Sequence, residues 1–265
     1  MQNLNMGKDV AVIICAAGPG SRFGGQGEVL HRNKSALGGL RKKQFVDVAG
    51  RGVFLRSVEI FAARNDVKQI LLGIPEDDQE LVSVKWGVNL KFFNVKTFFG
   101  GRERFETVSK ALELVQGDID LVAVHDACRC CVTDKLIEDV IAAAAKSGAA
   151  IPACPASATI KEVKDRTIIR TVDRTCLYEA QTPQIFKASL LKKAYAKLDS
   201  LDKSKISDDS QLVEMLGEKV TIVQTDSSNI KITYPSDIAI AEAIIKSRPK
   251  PKPEGPIGPY VEAQW

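Results

Sequence analysis

The sequence predicts an α/β fold, a mainly parallel sheet flanked by helices with a β-hairpin arm protruding from it. Apolar β-branched runs of strand length alternate with helical patterns along most of the chain, the signature of βαβ units. A glycine-rich turn follows directly on the first such run, where open α/β sheets gather their ligand-binding loops. Two further β-branched runs, Thr159–Val163 and Thr167–Val172, flank Lys164-Asp165-Arg166 with no helix between them. They read as a hairpin.

Taken in order, Asp9–Ala17 is the first strand. Val53–Arg64 has helical spacing through Phe54, Val58, Phe61 and Ala62, and Val67–Ile74 is a strand ended by Pro75. Lys91–Phe99 reads as a strand that Gly100-Gly101 breaks before a helix over Arg104–Val115. Asp120–Val124 is a short buried strand, Asp134–Lys146 an alanine-rich helix, and Ala149–Ala153, Val220–Gln224 and Ile230–Thr233 complete the strands. Helical stretches at Ala188–Leu198, Asp209–Leu216 and Ser236–Lys246 lie between or after them. The chain thus reads as one domain over residues 9–246, with an arm at about 156–176. Residues 1–8 and 247–265 are flexible tails, the second holding five of the eleven prolines. Gly20–Arg41, with six glycines and the cations Arg22, Arg32, Lys34 and Arg41, reads as a long mobile loop.

Composition narrows the class. With 265 residues and 45% apolar content, the chain can bury a large core. A net charge of +4 without an aromatic-studded basic face argues against nucleic acid and suits an enzyme of phosphate anions. No run of about 18 apolar residues offers a membrane span, and the opening residues lack the apolar stretch of a signal peptide. The six cysteines are scattered, and Cys128-x-Cys130-Cys131 is not zinc-site spacing. They read as reduced thiols in a cytoplasmic protein.

The chemistry concentrates in a few segments. Ala16-Ala17-Gly18-Pro19-Gly20-Ser21-Arg22 can bring backbone N–H groups close to a phosphate chain. It is not a Walker A loop, lacking Gly-Lys-Ser/Thr, nor a dinucleotide fingerprint, since Phe23 stands where the third glycine belongs. Lys42-Lys43-Gln44-Phe45 can add two cations around a triphosphate, the charge that nucleotidyl transfer needs more than a base. Gly100-Gly101 leads into a helix start whose N–H groups favour an anion or a base edge. His125, Asp126 and Arg129 end a buried strand at the ligand-binding edge of the sheet. His125 alone fits equally a satisfied core residue. Asp173-Arg174 closes the arm, Gln181-Thr182-Pro183-Gln184 follows, and Lys231 lies inside a β-branched run where it can protect an edge or point into a site.

In this order the motifs resemble the 2-C-methyl-D-erythritol 4-phosphate cytidylyltransferases, with the ribitol-5-phosphate cytidylyltransferases as a sister group. Lys-Gln-Phe, Gly-Gly-x-x-Arg, His-Asp-Ala-x-Arg, Thr-Val-Asp-Arg, Gln-Thr-Pro-Gln and Asn-Ile-Lys-Ile-Thr carry the resemblance, over roughly Asp9 to Ile245. It implies a Rossmann-like nucleotidyltransferase fold and transfer of CMP from CTP to a sugar-alcohol phosphate, with Mg²⁺ and a homodimer built through the arm. Ala16, Ala17, Gly18 and Gly20 would line the CTP phosphates and ribose, and Gly101 and Thr107 would hold the cytosine. Arg22, Lys43 and Lys231 would surround the reacting phosphorus. Asp126, Arg129, Thr182 and Ser207 would meet the acceptor, Asp126 also touching the metal, while Thr159 and Arg174 would reach the acceptor of the neighbouring subunit. The sequence departs from the family at Lys42, Arg102, Cys128, Cys130 and Ala158. Two alternatives therefore stand beside the main expectation: a ribitol or other polyol phosphate as acceptor, and a catalytically impaired nucleotide-binding regulatory module. A dehydrogenase is disfavoured by the displaced fingerprint glycine.

Overall fold

The computed structural model describes residues 8–18, 23 and 42–249. The expected loop over Gly20–Arg41, including Gly20 and Arg22, and most of both tails therefore lie outside the described residues. The first strand is β1 (Val10–Cys15), followed by a 3-10 turn at Lys43–Phe45 and a small ribbon of β2 (Asp47–Val48) and β3 (Arg51–Gly52). Next come α1 (Val53–Ala62), β4 (Val67–Ile74), α2 (Gln79–Phe92), β5 (Val95–Phe99), α3 (Arg104–Leu114), β6 (Leu121–Asp126), α4 (Asp134–Ser147) and β7 (Ala149–Pro155). The arm consists of β8 (Ile160–Lys164) and β9 (Thr167–Val172). The chain continues through β10 (Tyr178–Ala180), β11 (Gln184–Lys187), α5 (Ala188–Tyr195), α6 (Asp209–Glu214), β12 (Thr221–Gln224) and α7 (Asp237–Ser247).

Eight strands form the main sheet in the order β10-β7-β11-β6-β1-β4-β5, with β12 also on β7. Strands β6, β1, β4 and β5 run parallel, while β11 is antiparallel to both of its neighbours, β6 and β7. The fold is the expected α/β sheet flanked by helices. Its central strand explains why: every residue of Val10–Ile14 is buried, as a strand covered on both faces demands. Val10, Val12 and Ile14 pack with Phe54, Phe61, Trp86 and Ile137 on one face. Ala11 and Ile13 pack with Val108, Leu112, Leu191 and Leu212 on the other. Gly148, at φ 92°, closes α4 in the left-handed region, where glycine carries no Cβ penalty. Asp165 and Arg166, at φ 49° and 64°, make the two-residue turn of the arm, the twist that suits a tight hairpin.

Three expectations need correction. The strand read over Lys91–Phe99 begins only at Val95, because Lys91 and Phe92 finish α2, a helix the sequence did not announce. Apolar residues stand on both of its sides: Val82, Trp86 and Leu90 are buried, whereas Val84, Val88 and Phe92 are exposed, so the helical period is blurred. Ile230–Thr233 joins no sheet. It lies outside regular secondary structure, tied by the Ile232 N–H to the Cys128 carbonyl at 2.9 Å, with Ile232 buried among Cys128, Cys131 and Ala241. Finally, β11, which Gln184 opens directly after Thr182-Pro183, is a strand absent from the sequence expectation.

Candidate active site

The parallel strands end together, and two adjoining cavities open at that edge. The first, of about 130 Å³, is lined by Cys15, Ala16, Ala17, Gly18, Lys43, Gln44, Arg104, Thr107, Asp126, Cys128 and Lys231. The second, of about 240 Å³, is lined by Arg104, Asp126, Arg129, Ala180, Gln181, Thr182, Gln184, Ser207, Asp208 and Lys231. Arg104, Asp126 and Lys231 belong to both and form the junction.

In the first cavity, the loop after β1 is held from two sides. The Ala16 N–H donates to the Gly73 carbonyl at 2.9 Å, and the buried Gln44 amide donates to the carbonyls of Ala16 and Gly18 at 2.8 and 3.3 Å. Gln44 is fixed because its neighbour Phe45 stacks on Trp86 at 5.6 Å and meets Phe54 edge-on at 5.7 Å. Of the two adjacent lysines only Lys43 lines the cavity; Lys42 pairs with Asp78 at 2.6 Å. The expectation of two cations from this pair is corrected to one, since the 3-10 turn sends consecutive side chains in different directions.

Glycines let the far wall approach. A Cβ on Gly100 would lie 2.3 Å from the Ala17 Cβ and 2.8 Å from the Thr107 Oγ1, and one on Gly101 would lie 2.2 Å from the Glu106 Cβ. The Gly101 N–H donates to the Thr107 Oγ1 at 3.0 Å, and the Glu103 N–H to the Glu106 carboxylate at 3.2 Å in a capping box. The start of α3 thus uses N–H groups on its own cap, leaving fewer for a ligand than the sequence suggested.

At the junction Asp126 meets three cations: Lys231 at 2.7 Å, Arg104 at 2.9 Å and Arg129 at 3.7 Å. Burial alone would raise its pKa, but Arg104, Lys231 and Arg129 outweigh that and hold the carboxyl well below the ordinary range. Arg104 is shifted upward for the reciprocal reason: burial opposes its charge, and Asp209 and Asp126 more than offset this. In the second cavity, Arg129 donates to the carbonyls of Asn229 and Ala180 at 2.7 and 3.3 Å. The Thr182 Oγ1 accepts the Asp126 N–H at 3.0 Å, and Ser207 donates to the Gln211 side chain at 3.0 Å. His125 is a core residue rather than a site residue. It is fully buried, meets Phe61 edge-on at 5.2 Å and touches the Thr182 Oγ1 at 3.1 Å through Nδ1. Burial pushes its pKa down to about 3.

The structure therefore brings together Ala16, Ala17, Gly18, Lys43, Thr107, Asp126, Arg129, Thr182, Ser207 and Lys231 at this edge, with Gly101 hydrogen-bonded to Thr107 behind it. Thr159 and Arg174 are exposed on the arm and line neither cavity; the Arg174 guanidinium donates to the Ser157 carbonyl. Among the described residues no three histidine, cysteine, aspartate or glutamate side chains converge on a metal position. No described helix is long and apolar enough to cross a membrane, and all six cysteines are free.

Residues 10–247 match the family model described as 2-C-methyl-D-erythritol 4-phosphate cytidylyltransferase. The chain belongs to that family. A 2-C-methyl-D-erythritol 4-phosphate cytidylyltransferase of Endomicrobium trichonymphae is 43% identical over 242 residues, covering 89% of this chain and 99% of the relative. One from Clostridium perfringens is 35% identical over 243 residues, covering 91% and 100%. The crystal structure of the Thermus thermophilus cytidylyltransferase superposes with a TM-score of 0.70 at 30% identity, covering 90% of this chain and 99% of that one. Within this cytidylyltransferase frame, sequence reasoning missed the part played by Arg104 and Asp209. Arg104 stands out in the sequence only as the last residue of Gly-Gly-x-x-Arg. Asp209 lies 105 positions away in sequence yet 2.5 Å away in space, and the single available signal was the acidic pair Asp208-Asp209 at a helix start.

Proposed function

We propose that this chain transfers CMP from CTP to the phosphate of 2-C-methyl-D-erythritol 4-phosphate and releases pyrophosphate. The observation that carries the reading is the pair of cavities sharing Asp126 and Lys231, one floored by the glycine loop and Lys43, the other by Arg129, Thr182 and Ser207. Ala16, Ala17, Gly18 and Gly20 would line the CTP phosphates and ribose, and Gly101 and Thr107 the cytosine. In the second cavity the acceptor phosphate would face Arg129, Thr182 and Ser207.

An acceptor phosphate oxygen attacks the α-phosphorus in line. The new P–O bond forms as the bond to the β-phosphate oxygen breaks, and the electron pair leaves with pyrophosphate. No general base is needed, because the nucleophile is already an anion, so positioning does the work. Lys43, Lys231 and Arg22 would stabilise the charge that builds on the α-phosphoryl oxygens. The donor set fits a magnesium ion held chiefly by the nucleotide's own phosphates, since Asp126 is the one carboxylate among the described residues that line the nucleotide cavity and this ion accepts few protein ligands. Such an ion supplies charge neutralisation between the phosphates. The arm suits a homodimer: Val163, Ile168 and Ile169 are exposed on it, and Thr159 and Arg174 are exposed and line neither of this chain's own cavities, so they are available to a second subunit. The reading is completed by a cytoplasmic location, where CTP is supplied.

Purified protein incubated with CTP, Mg²⁺ and a panel of acceptors tests the proposal through pyrophosphate release. Release with 2-C-methyl-D-erythritol 4-phosphate well above that with ribitol 5-phosphate is expected. Preference for ribitol 5-phosphate, or nucleotide binding without release for any acceptor, would overturn it. Neither alternative is favoured by the relatives, which are named for the erythritol acceptor.

A further inference from the structure

Arg104, which lines both cavities at the junction, is paired from behind with a carboxylate that lines neither. Asp209, the first residue of α6, is fully buried. One of its oxygens takes the Arg104 guanidinium at 2.5 Å and the other accepts the Tyr195 hydroxyl at 2.6 Å. Arg104 in turn donates its Nε to Asp126 at 2.9 Å. The place of Asp209 is fixed independently of Arg104: the Gln184 side-chain oxygen accepts the N–H groups of Asp209 and Ser210, both at 3.1 Å. Gln184 opens β11, and β11 pairs with β6, whose last residue is Asp126. The contacts thus close into a ring: Asp126, β6, β11, Gln184, Asp209, Arg104 and back to Asp126.

Burying a second carboxylate here has a physical reason. Three cations surround Asp126, and without Asp209 all three would compete for one carboxylate. A buried charge is costly unless paired, and Asp209 gives Arg104 a partner of its own, leaving the second oxygen of Asp126 to Lys231 at 2.7 Å. We propose that Asp209, braced by Tyr195, is a positioning residue for the transfer: it holds Arg104 so that Asp126 and Lys231 stay oriented between the two substrates. Asp209 acts through Arg104 and touches neither substrate. This inference rests on the proposed transfer only for its turnover readout.

The test is a double-mutant cycle, which separates coupling from general damage. Asp209→Asn keeps the shape and an acceptor for Tyr195 but removes the charge; it is expected to lower kcat by about tenfold. Tyr195→Phe keeps the ring and loses only the hydroxyl; it is expected to lower kcat by about threefold and serves if the first variant folds poorly. In an Asp126→Asn background the same changes should cost almost nothing further, because the group they position is gone. Equal losses in both backgrounds, or wild-type turnover in Asp209→Asn, would overturn the proposal. A second readout is independent of any acceptor: the Arg104 Nε–H resonance should exchange with solvent faster in Asp209→Asn and in Tyr195→Phe than in the unaltered protein. An unchanged exchange rate refutes the inference even if the acceptor assignment is right. Faster exchange supports it even if the acceptor proves to be another polyol phosphate.

Discussion

Replacing Asp126 with asparagine removes one charge and almost no volume, so its effect reports electrostatics rather than packing. The carboxylate is only 10% exposed and has Lys231, Arg104 and Arg129 within 2.7, 2.9 and 3.7 Å. Breaking a buried pair by deleting one partner costs about 3–5 kcal/mol. The low end applies here, because Arg104 keeps Asp209, Arg129 keeps two carbonyls, and Lys231 is 35% exposed and can hydrate. At about 2–4 °C per kcal/mol for a domain of this size, the melting temperature should fall by roughly 6–12 °C. The pH dependence follows from the depressed pKa of Asp126. A carboxyl lowered in the folded state contributes stability that is present above its unfolded value, near 3.8, and is lost only as pH falls through the lower folded value. The gap between Asp126→Asn and the unaltered protein should therefore stay constant from pH 8 to pH 5. Thermal melts followed by circular dichroism across that range measure it. A shift under about 2 °C, or a gap that shrinks before pH 5, would refute the claim that this carboxylate anchors the cation cluster.

Further outcomes concern the rest of the site. Lys43→Ala and Arg22→Ala should each reduce turnover by about 10²–10³, the loss typical of one charge-stabilising donor; steady-state pyrophosphate release measures this, and unchanged turnover removes the residue from the mechanism. Gly100→Ala would put a methyl group 2.3 Å from the Ala17 Cβ. Overpacking of that kind costs about 1–3 kcal/mol, so CTP affinity measured by calorimetry should drop by about tenfold or more. His125, with its pKa pushed down to about 3 by burial, should stay neutral above pH 4, as its C2 proton shift by NMR would show. Below about pH 6.5 the unfolded chain takes up a proton that the folded state refuses, so this group should erode stability by up to about 1.4 kcal/mol per pH unit as pH falls toward 3.

Much of this architecture was legible because the relevant patterns are local. β1 is buried on both faces and reads as an unbroken apolar run, and the hairpin announces itself through β-branched runs around a short polar turn. Where two patterns overlap, sequence reading loses resolution: α2 has valines on its wet side and tryptophan on its dry side, and its last turn was absorbed into the following strand. Ile230–Thr233 shows the opposite failure. Its residues have strand character, yet Ile232 is needed to fill a small cluster with the cysteines around Cys128, and packing overrides propensity. Lys231 was identifiable as an unusual placement within a β-branched run, whereas only the family resemblance separates Lys43 from its neighbour Lys42. The ring through Asp209 was not, because it is closed by side chains from strand, loop and helix that only the folded sheet makes neighbours.

The reversed strand β11 has an evolutionary corollary. Since it enters the sheet at the edge where its neighbour leaves, the residues from Gln181 to Gln184 reach the active edge on a stretch of chain separate from the one carrying Ala16, Gly18 and Lys43. On the proposed reading, recognition of the two substrates is therefore largely separable, with Arg104, Asp126 and Lys231 the shared exception. Alterations around Arg129, the 180–184 segment and Ser207 would then retune which alcohol phosphate is accepted while leaving Ala16, Gly18 and Lys43 unaltered.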